Sequence, residues 1–119
     1  MNDNARKLVE ALRSGEFTQG QKRLRRDDAF CCLGVACSVY TEETGHGRWH
    51  ANSATGTYLF ISDDGESVTS LPFAVKEWLG FSGHGGEFST GSLMGLNDVG
   101  RTFAEIADVI ESEPEGLFA

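Results

Sequence analysis

The stretch Phe30-Cys31-Cys32-Leu33-Gly34-Val35-Ala36-Cys37 decides the fold, because it is apolar at every position and must therefore be buried. Periodicity alone does not separate a helix from a strand in so short a run. Ala36, Gly34 and the polar residues that precede Gly45 favour a helix, which we expect over residues 31–43. A helix that is apolar on all sides belongs at the centre of the core, and Gly34 would let another backbone approach it closely.

The most basic segment of the chain, Lys22-Arg23-Leu24-Arg25-Arg26, lies just before this run. Burial of the run brings four cationic side chains to the edge of the core. We predict a strand over 21–26, in which Arg23 and Arg25 share one face while Lys22, Leu24 and Arg26 share the other. Pairing with the protein's own acids would explain an exposed basic strand. The forked guanidinium also suits phosphate, which makes the segment a candidate ligand site.

The remaining pattern predicts an α+β fold of about four helices and a small antiparallel sheet. Apolar spacing and capping residues place the other three helices near 4–14, 72–79 and 102–112, the last opened by a capping box of Thr102 and Glu105. The strands are expected at 21–26, 48–50, 57–61 and 66–69, with a hairpin turn at Asp63-Asp64-Gly65.

Length and composition predict one domain over residues 1–119, whose acidic end, 113–119, we expect to be a frayed tail. No segment has the roughly 20 apolar residues of a membrane helix, and the N-terminus has no signal pattern. We therefore expect a protein of the cytoplasm with no membrane partner. Three cysteines, two of them adjacent, agree with reduced thiols.

The net charge of −8 is unevenly distributed along the chain. Seven basic and three acidic side chains precede Asp27, whereas three basic and fifteen acidic ones follow from there. This balance argues against direct nucleic-acid binding, which needs a broadly cationic surface. A local pocket for a small anion is still compatible with it.

Cysteine and histidine raise two chemical alternatives. The residues Cys31, Cys32, Cys37, His46, His50 and His84 are sufficient in number for zinc, but no C-x2-C pair occurs and adjacent cysteines cannot easily reach one metal. A nucleophilic Cys31 or Cys32 near Arg25 or Arg26 is chemically coherent but lacks an identifiable base. Buried packing is the favoured interpretation of the thiols, so we predict no metal and no cofactor.

Further binding candidates lie later in the chain. Asn97 and Asp98 would read a ribose or a base edge while Arg101 meets a phosphate, although the same residues suit a turn whose side chains bond nearby backbone. Trp49 would stack on a base, or it packs in the core. The predicted ligand-binding set is Arg23, Arg25, Arg26, Arg48, Trp49, Asn97, Asp98 and Arg101, with no catalytic residue.

Five motifs in a fixed order resemble a family of small tailed-phage and prophage proteins. They are Ala11-Leu12-Arg13-Ser14-Gly15, Phe30 to Val35, Leu71-Pro72 with Trp78, Leu96-Asn97-Asp98, and Phe103 to Ile110. The resemblance covers nearly the whole chain. It implies origin more than activity, and it carries over no catalytic or binding residue.

Phage accessory proteins of this size often inhibit bacterial defence, so the resemblance implies a non-enzymatic anti-defence protein of the host cytoplasm. The first hypothesis is a sponge that sequesters a small phosphate-containing nucleotide immune signal in an arginine-lined pocket. The alternative is an acidic inhibitor, for example a nucleic-acid mimic, that binds a host defence protein. A small hydrolase or zinc protein ranks third. A homodimer would suit the first hypothesis, since two small domains often build one pocket.

Overall fold

A computed structural model describes all residues from 1 to 119. The five helices are α1 (Asp3–Arg13), α2 (Cys32–Thr44), α3 (Phe73–Leu79), α4 (Leu93–Asp98) and α5 (Phe103–Glu111). The eight short strands are β1 (Thr18–Gln19), β2 (Arg25–Arg26), β3 (Ala29–Phe30), β4 (Arg48–Ala51), β5 (Tyr58–Ser62), β6 (Gly65–Ser67), β7 (Glu87–Phe88) and β8 (Gly91–Ser92). The predicted α+β class is confirmed.

The apolar stretch forms the central helix α2, as its composition predicts. All its residues from Cys32 to Cys37 are buried, and α1, α3 and α4 pack around it. Gly34 is required by a close approach: a Cβ at this position would lie 1.8 Å from the carbonyl oxygen of Leu24. The same oxygen accepts a hydrogen bond from the Cys31 backbone N–H at 3.2 Å. The basic segment is thereby fixed to the first turn of α2.

The outer helices close a single hydrophobic cluster of 23 buried residues. Helix α1 packs against α2 and α5 through the face that contains Leu8 and Leu12, and α5 contributes Ile106 and Ile110. The predicted capping box between Thr102 and Glu105 is present. No helix combines the length and the apolar character needed to cross a bilayer.

The strands form three small sheets instead of one antiparallel sheet. Their orders are β1-β3-β2, β4-β5-β6 and β7-β8, and β1 runs parallel to β3. The predicted strand over 21–26 is reduced to Arg25–Arg26, because Lys22 adopts a left-handed conformation with φ of 69° and Leu24 points into the core. A bridge between Arg26 and Thr57 connects the first two sheets.

Two further differences concern the C-terminal third. Asn97 and Asp98, which the sequence suggested as turn residues, belong to the additional helix α4, which is capped by the Ser92 side chain. The expected frayed tail over 113–119 is instead docked on the protein. Leu117 is fully buried, its carbonyl accepts the backbone N–H of Ser82, and the Phe118 ring lies 5.4 Å from that of Phe81. The segment is docked because Leu117 and Phe118 pack against the protein, although the residues before them are acidic.

Candidate functional site

The distribution of ion pairs separates the cationic side chains into two groups. Six of the ten lysine and arginine residues form a salt bridge with an acid. The other four have no carboxylate within salt-bridge distance, and they are Lys22, Arg23, Arg26 and Arg48. Three of these four belong to the basic segment, where free positive charge is therefore concentrated.

Within this segment, Arg25 and Arg26 point to opposite faces. Arg25 pairs with Phe30 across the sheet, and its guanidinium lies 3.9 Å from the ring centroid of Tyr58 and 5.0 Å from that of Phe30. Its Nε donates to the Asp27 carbonyl at 2.8 Å. The Arg25 side chain is only 20% exposed, so its guanidinium interacts mainly with groups of the protein itself.

Trp49 belongs to the same aromatic cluster. Its ring lies 4.9 Å from that of Phe60 and 6.2 Å from that of Tyr58, and its Nε1 donates to the Ser38 hydroxyl at 3.2 Å. The structure thus places Trp49, which the sequence suggested for base stacking, on the inner side of the sheet. It contacts Arg25 rather than an open surface.

Arg26 points outward and is exposed. Strand register places Arg26 opposite Thr57, His50 opposite Leu59, and Arg48 opposite Ile61. Paired residues in a ladder project to the same side, and so do alternate residues of one strand. We call this surface the outer face; it consists of Arg26, Arg48, His50, Thr57, Leu59, Ile61, Glu66 and Val68.

The two arginines of the outer face lie at opposite corners. Arg26 and Arg48 flank β5 on its two sides and are offset by four residues along it, which separates their Cα atoms by roughly 16 Å. The outer face contains a depression of about 490 Å³, whose lining includes His50, Thr57, Leu59 and Val68 but neither arginine. Asn52 and Ser53 also line it. The face therefore combines a partly apolar depression with two arginines that lie outside its lining.

A second depression lies on the other side of Arg26. It has a volume of about 530 Å³ and is lined by Thr18, Gly20, Gln21, Arg26, Asp27, Asp28 and Ala29. Arg26 lines this second depression, and Thr57, its partner across the bridge, lines the first. Glu66 pairs with Ile61 on the side of β5 away from Arg48, so the outer face carries one acid as well as the two arginines.

Asn97 is an internal hydrogen-bonding residue rather than a surface group. It is fully buried, and its Oδ1 accepts from the Cys32 backbone N–H at 3.1 Å and from Gln19 Nε2 at 2.9 Å. Its Nδ2 donates to the Gly20 carbonyl at 2.8 Å. Both polar atoms of the Asn97 side chain form hydrogen bonds inside the protein, so Asn97 does not face a ligand.

Asp98 and Arg101 are also occupied. Asp98 Oδ1 accepts from the Lys22 backbone N–H at 2.9 Å, which fixes the left-handed turn at Lys22. Arg101 forms an ion pair with Glu105 at 3.3 Å, and the Arg101 carbonyl accepts from Gln19. Backbone bonding at Thr102 lowers the pKa of Glu105, in keeping with its place in the capping box. These residues join α4 to the basic segment.

The cysteine side chains are buried and unpaired. Burial raises the pKa of Cys31 to about 11 and raises the pKa of Cys32 and of Cys37 well above the usual range. A protonated, enclosed thiol is a poor nucleophile and a poor metal ligand. No group of three or more His, Cys, Asp or Glu side chains converges to hold a metal ion.

The structure therefore divides seven of the eight predicted residues among three locations. Arg26 and Arg48 share the outer face, whereas Arg25 and Trp49 belong to the aromatic cluster. Asn97, Asp98 and Arg101 connect α4 and the residues after it to the segment before α2. Arg23 lies apart from these groups: it is exposed, has no acid partner, and donates to the Lys22 carbonyl. Sequence reasoning missed His50, Thr57 and Leu59, although the alternation within 48–50 and 57–61 could have assigned them to one face.

The comparisons with known proteins identify a family but no annotated relative. No curated protein and no solved structure matches the chain. One family model, described as "Domain of unknown function (DUF8296)", matches residues 1–114, which is nearly the full length. The chain therefore belongs to the DUF8296 family.

Proposed function

We propose that this protein is a non-enzymatic binding protein for a small phosphate-containing nucleotide, which it holds on the outer face. One observation carries the proposal: the cations without an acid partner are Lys22, Arg23 and Arg26 of the basic segment together with Arg48. Arginine side chains left free in a chain of net charge −8 create a local positive region in an otherwise negative protein. Such a region favours a compact anion over an extended polyanion.

The dimensions of the outer face fit a nucleotide with phosphates at one or both ends. Each arginine side chain extends about 6–7 Å, so guanidinium groups whose Cα atoms are roughly 16 Å apart can approach one ligand from both ends. The depression on this face, with Leu59 and Val68 in its lining, offers apolar contact to a base. His50, Asn52 and Thr57 supply hydrogen-bonding groups for the sugar or the base edge.

Binding without turnover is supported by the state of the thiols. The only cysteines lie inside the core, and their raised pKa values keep them protonated at neutral pH. On the outer face His50 is the one imidazole, and its pair across the strands is the apolar Leu59, which cannot orient it as a base. We propose sequestration of a nucleotide immune signal in a bacterial host as the biological role, in line with the resemblance to phage proteins.

A ligand panel with recovery of the bound molecule tests the proposal. Calorimetry and thermal unfolding would be measured with linear, cyclic and ADP-ribose-derived nucleotides, and mass spectrometry would establish whether heating releases each molecule intact. We expect Arg26→Gln and Arg48→Gln each to weaken binding about tenfold, because each removes one charged contact to phosphate. Arg6→Gln is the matched control, since Arg6 is exposed, carries the same charge and lies on α1.

Three results would contradict this function. A panel without any thermal shift would oppose nucleotide binding, and a chemically altered product would oppose a non-enzymatic role. Equal weakening by Arg6→Gln and Arg26→Gln would show that net charge, rather than the outer face, governs the interaction.

A further inference from the structure

Phe73 is one of only two large apolar side chains that are strongly exposed, at 54%. It opens α3, after Leu71 and Pro72, both of which are buried. Beside its ring is a depression of about 270 Å³ between the β5–β6 hairpin and the start of α3. We call this depression the Phe73 pocket; its lining residues include Asp64, Glu66, Ser67, Ser70, Phe73 and His84.

The polar groups around the Phe73 pocket are mainly hydrogen-bond acceptors. Neither Asp64 nor Glu66 forms a salt bridge, and Asp64 only accepts from the Ser62 hydroxyl at 2.8 Å. His84 Nδ1 lies 2.7 Å from the Leu71 carbonyl, which can only accept. In the neutral ring Nδ1 therefore carries the hydrogen, and Nε2 is left as a further acceptor. These acceptors suit a ligand group that carries only hydrogen-bond donors.

The Phe73 ring already attracts a cation. Lys76 Nζ lies 5.3 Å from the ring centroid, within the range of a cation–π contact. Lys76 is at the same time paired with Glu77 at 3.0 Å, and its side chain is only 13% exposed. The Phe73 ring is 54% exposed, so a second planar or cationic group can contact it, and Asp64 and Glu66 line the same depression.

We propose that the Phe73 pocket docks an arginine side chain from the surface of a partner protein. The guanidinium would stack on Phe73 and donate to the acceptors around it, and its planar fork matches a carboxylate better than an ammonium does. Charge complementarity selects this occupant, because the protein has a net charge of −8 and both acids of the pocket lack a cation. The pocket would give the protein a second, protein-directed interaction that does not depend on nucleotide binding.

Chemical-shift titration with small probes tests this site. Acetyl-arginine amide would be compared with acetyl-citrulline amide, which keeps the shape but is neutral, and with acetyl-leucine amide. We expect arginine to shift the resonances of Phe73, His84 and Glu66, with an affinity about fivefold or more above that of citrulline. Phe73→Ala and Glu66→Gln should each reduce that affinity about fivefold.

Matched controls keep the test independent of folding and of total charge. Val99→Ala truncates the other exposed apolar side chain, and Glu115→Gln removes an exposed acid elsewhere, so both should leave arginine binding unchanged. Equal shifts with citrulline or leucine would overturn the proposal, as would shifts that persist in Phe73→Ala. Failure here leaves nucleotide binding intact, because that proposal is tested with Arg26 and Arg48 variants.

Discussion

Asn97 Oδ1 accepts a hydrogen bond from the backbone N–H of Cys32, so a residue of α4 caps the N-terminus of α2 from 65 positions away. The local N-cap residue, Cys31, makes no side-chain bond to the helix. A serine or aspartate at the N-cap position usually supplies this hydrogen bond locally. The first turn of the central helix obtains it from a tertiary contact instead. The same amide holds Gln19 and Gly20, which tie the preceding segment to α4.

We expect Asn97→Ala to lower the free energy of unfolding by about 2–4 kcal/mol, because it leaves several buried polar groups without partners. Urea unfolding followed by circular dichroism measures the change. Asp98→Ala is the neighbouring control: it removes one bond to the partly exposed turn at Lys22 and should cost only about 0.5–1.5 kcal/mol. Equal losses for the two variants would show that Asn97 has no special role in capping α2.

Gly34→Ala should destabilise the fold by about 3 kcal/mol or more, since the added methyl group would overlap the Leu24 carbonyl oxygen. That oxygen belongs to backbone fixed by the Cys31 N–H, so it cannot move away without separating the basic segment from α2. Thermal unfolding measures the effect. Gly91→Ala is the control, because its Cβ would meet only the Phe88 ring at an ordinary 3.7 Å. A Gly34→Ala protein as stable as Gly91→Ala would rule out the proposed close approach.

The parts of the fold that could be predicted from sequence are those encoded by neighbouring residues. The apolar run predicts α2, Gly45 and Gly80 end α2 and α3 in left-handed conformations, and Thr102 with Glu105 opens α5. Each of these signals acts within a few residues, so it can be recognised without knowledge of the tertiary structure.

The candidate site was harder to predict because its properties are set by distant contacts. Whether an arginine is free depends on which acid folds beside it, and sequence does not show that Arg25 is enclosed by Tyr58 while Arg26 is not. The regular alternation expected for 21–26 fails because Asp98 holds Lys22 in a left-handed turn. Asn97 has the composition of a surface turn residue, yet long-range bonding buries it completely.

The contact between Arg25 and Tyr58 should contribute a measurable coupling to stability. In a double-mutant cycle of Arg25→Gln and Tyr58→Leu, we expect a coupling energy of about 1 kcal/mol, because the guanidinium lies over the ring and is largely enclosed. Chemical unfolding monitored by Trp49 fluorescence measures each member of the cycle. Tyr58→Phe keeps the aromatic face, so the coupling to Arg25 should survive in that background. Additive losses in the Tyr58→Leu cycle would exclude a cation–π contribution.

Burial of Cys31 should make stability fall in alkaline solution. Burial raises the pKa of this thiol to about 11, against 9.0 for the free group. Below pH 9 both the folded and the unfolded states keep the proton, so the stabilising contribution is complete. Between pH 9 and pH 11 the unfolded chain releases its proton while the folded protein retains it, and the free energy of unfolding therefore decreases as pH rises.

Comparison of wild type with Cys31→Ala isolates this contribution from the titration of lysine and tyrosine, which both proteins share. Between pH 8 and pH 10.5 we expect the variant to lose about 2 kcal/mol less stability than the wild type. Urea unfolding under reducing, oxygen-free conditions measures the two slopes, and the difference at pH 8 gives the packing cost of the substitution. Parallel pH profiles would mean that the Cys31 thiol ionises in the folded protein as readily as in the unfolded chain, and therefore that the start of α2 is open to solvent.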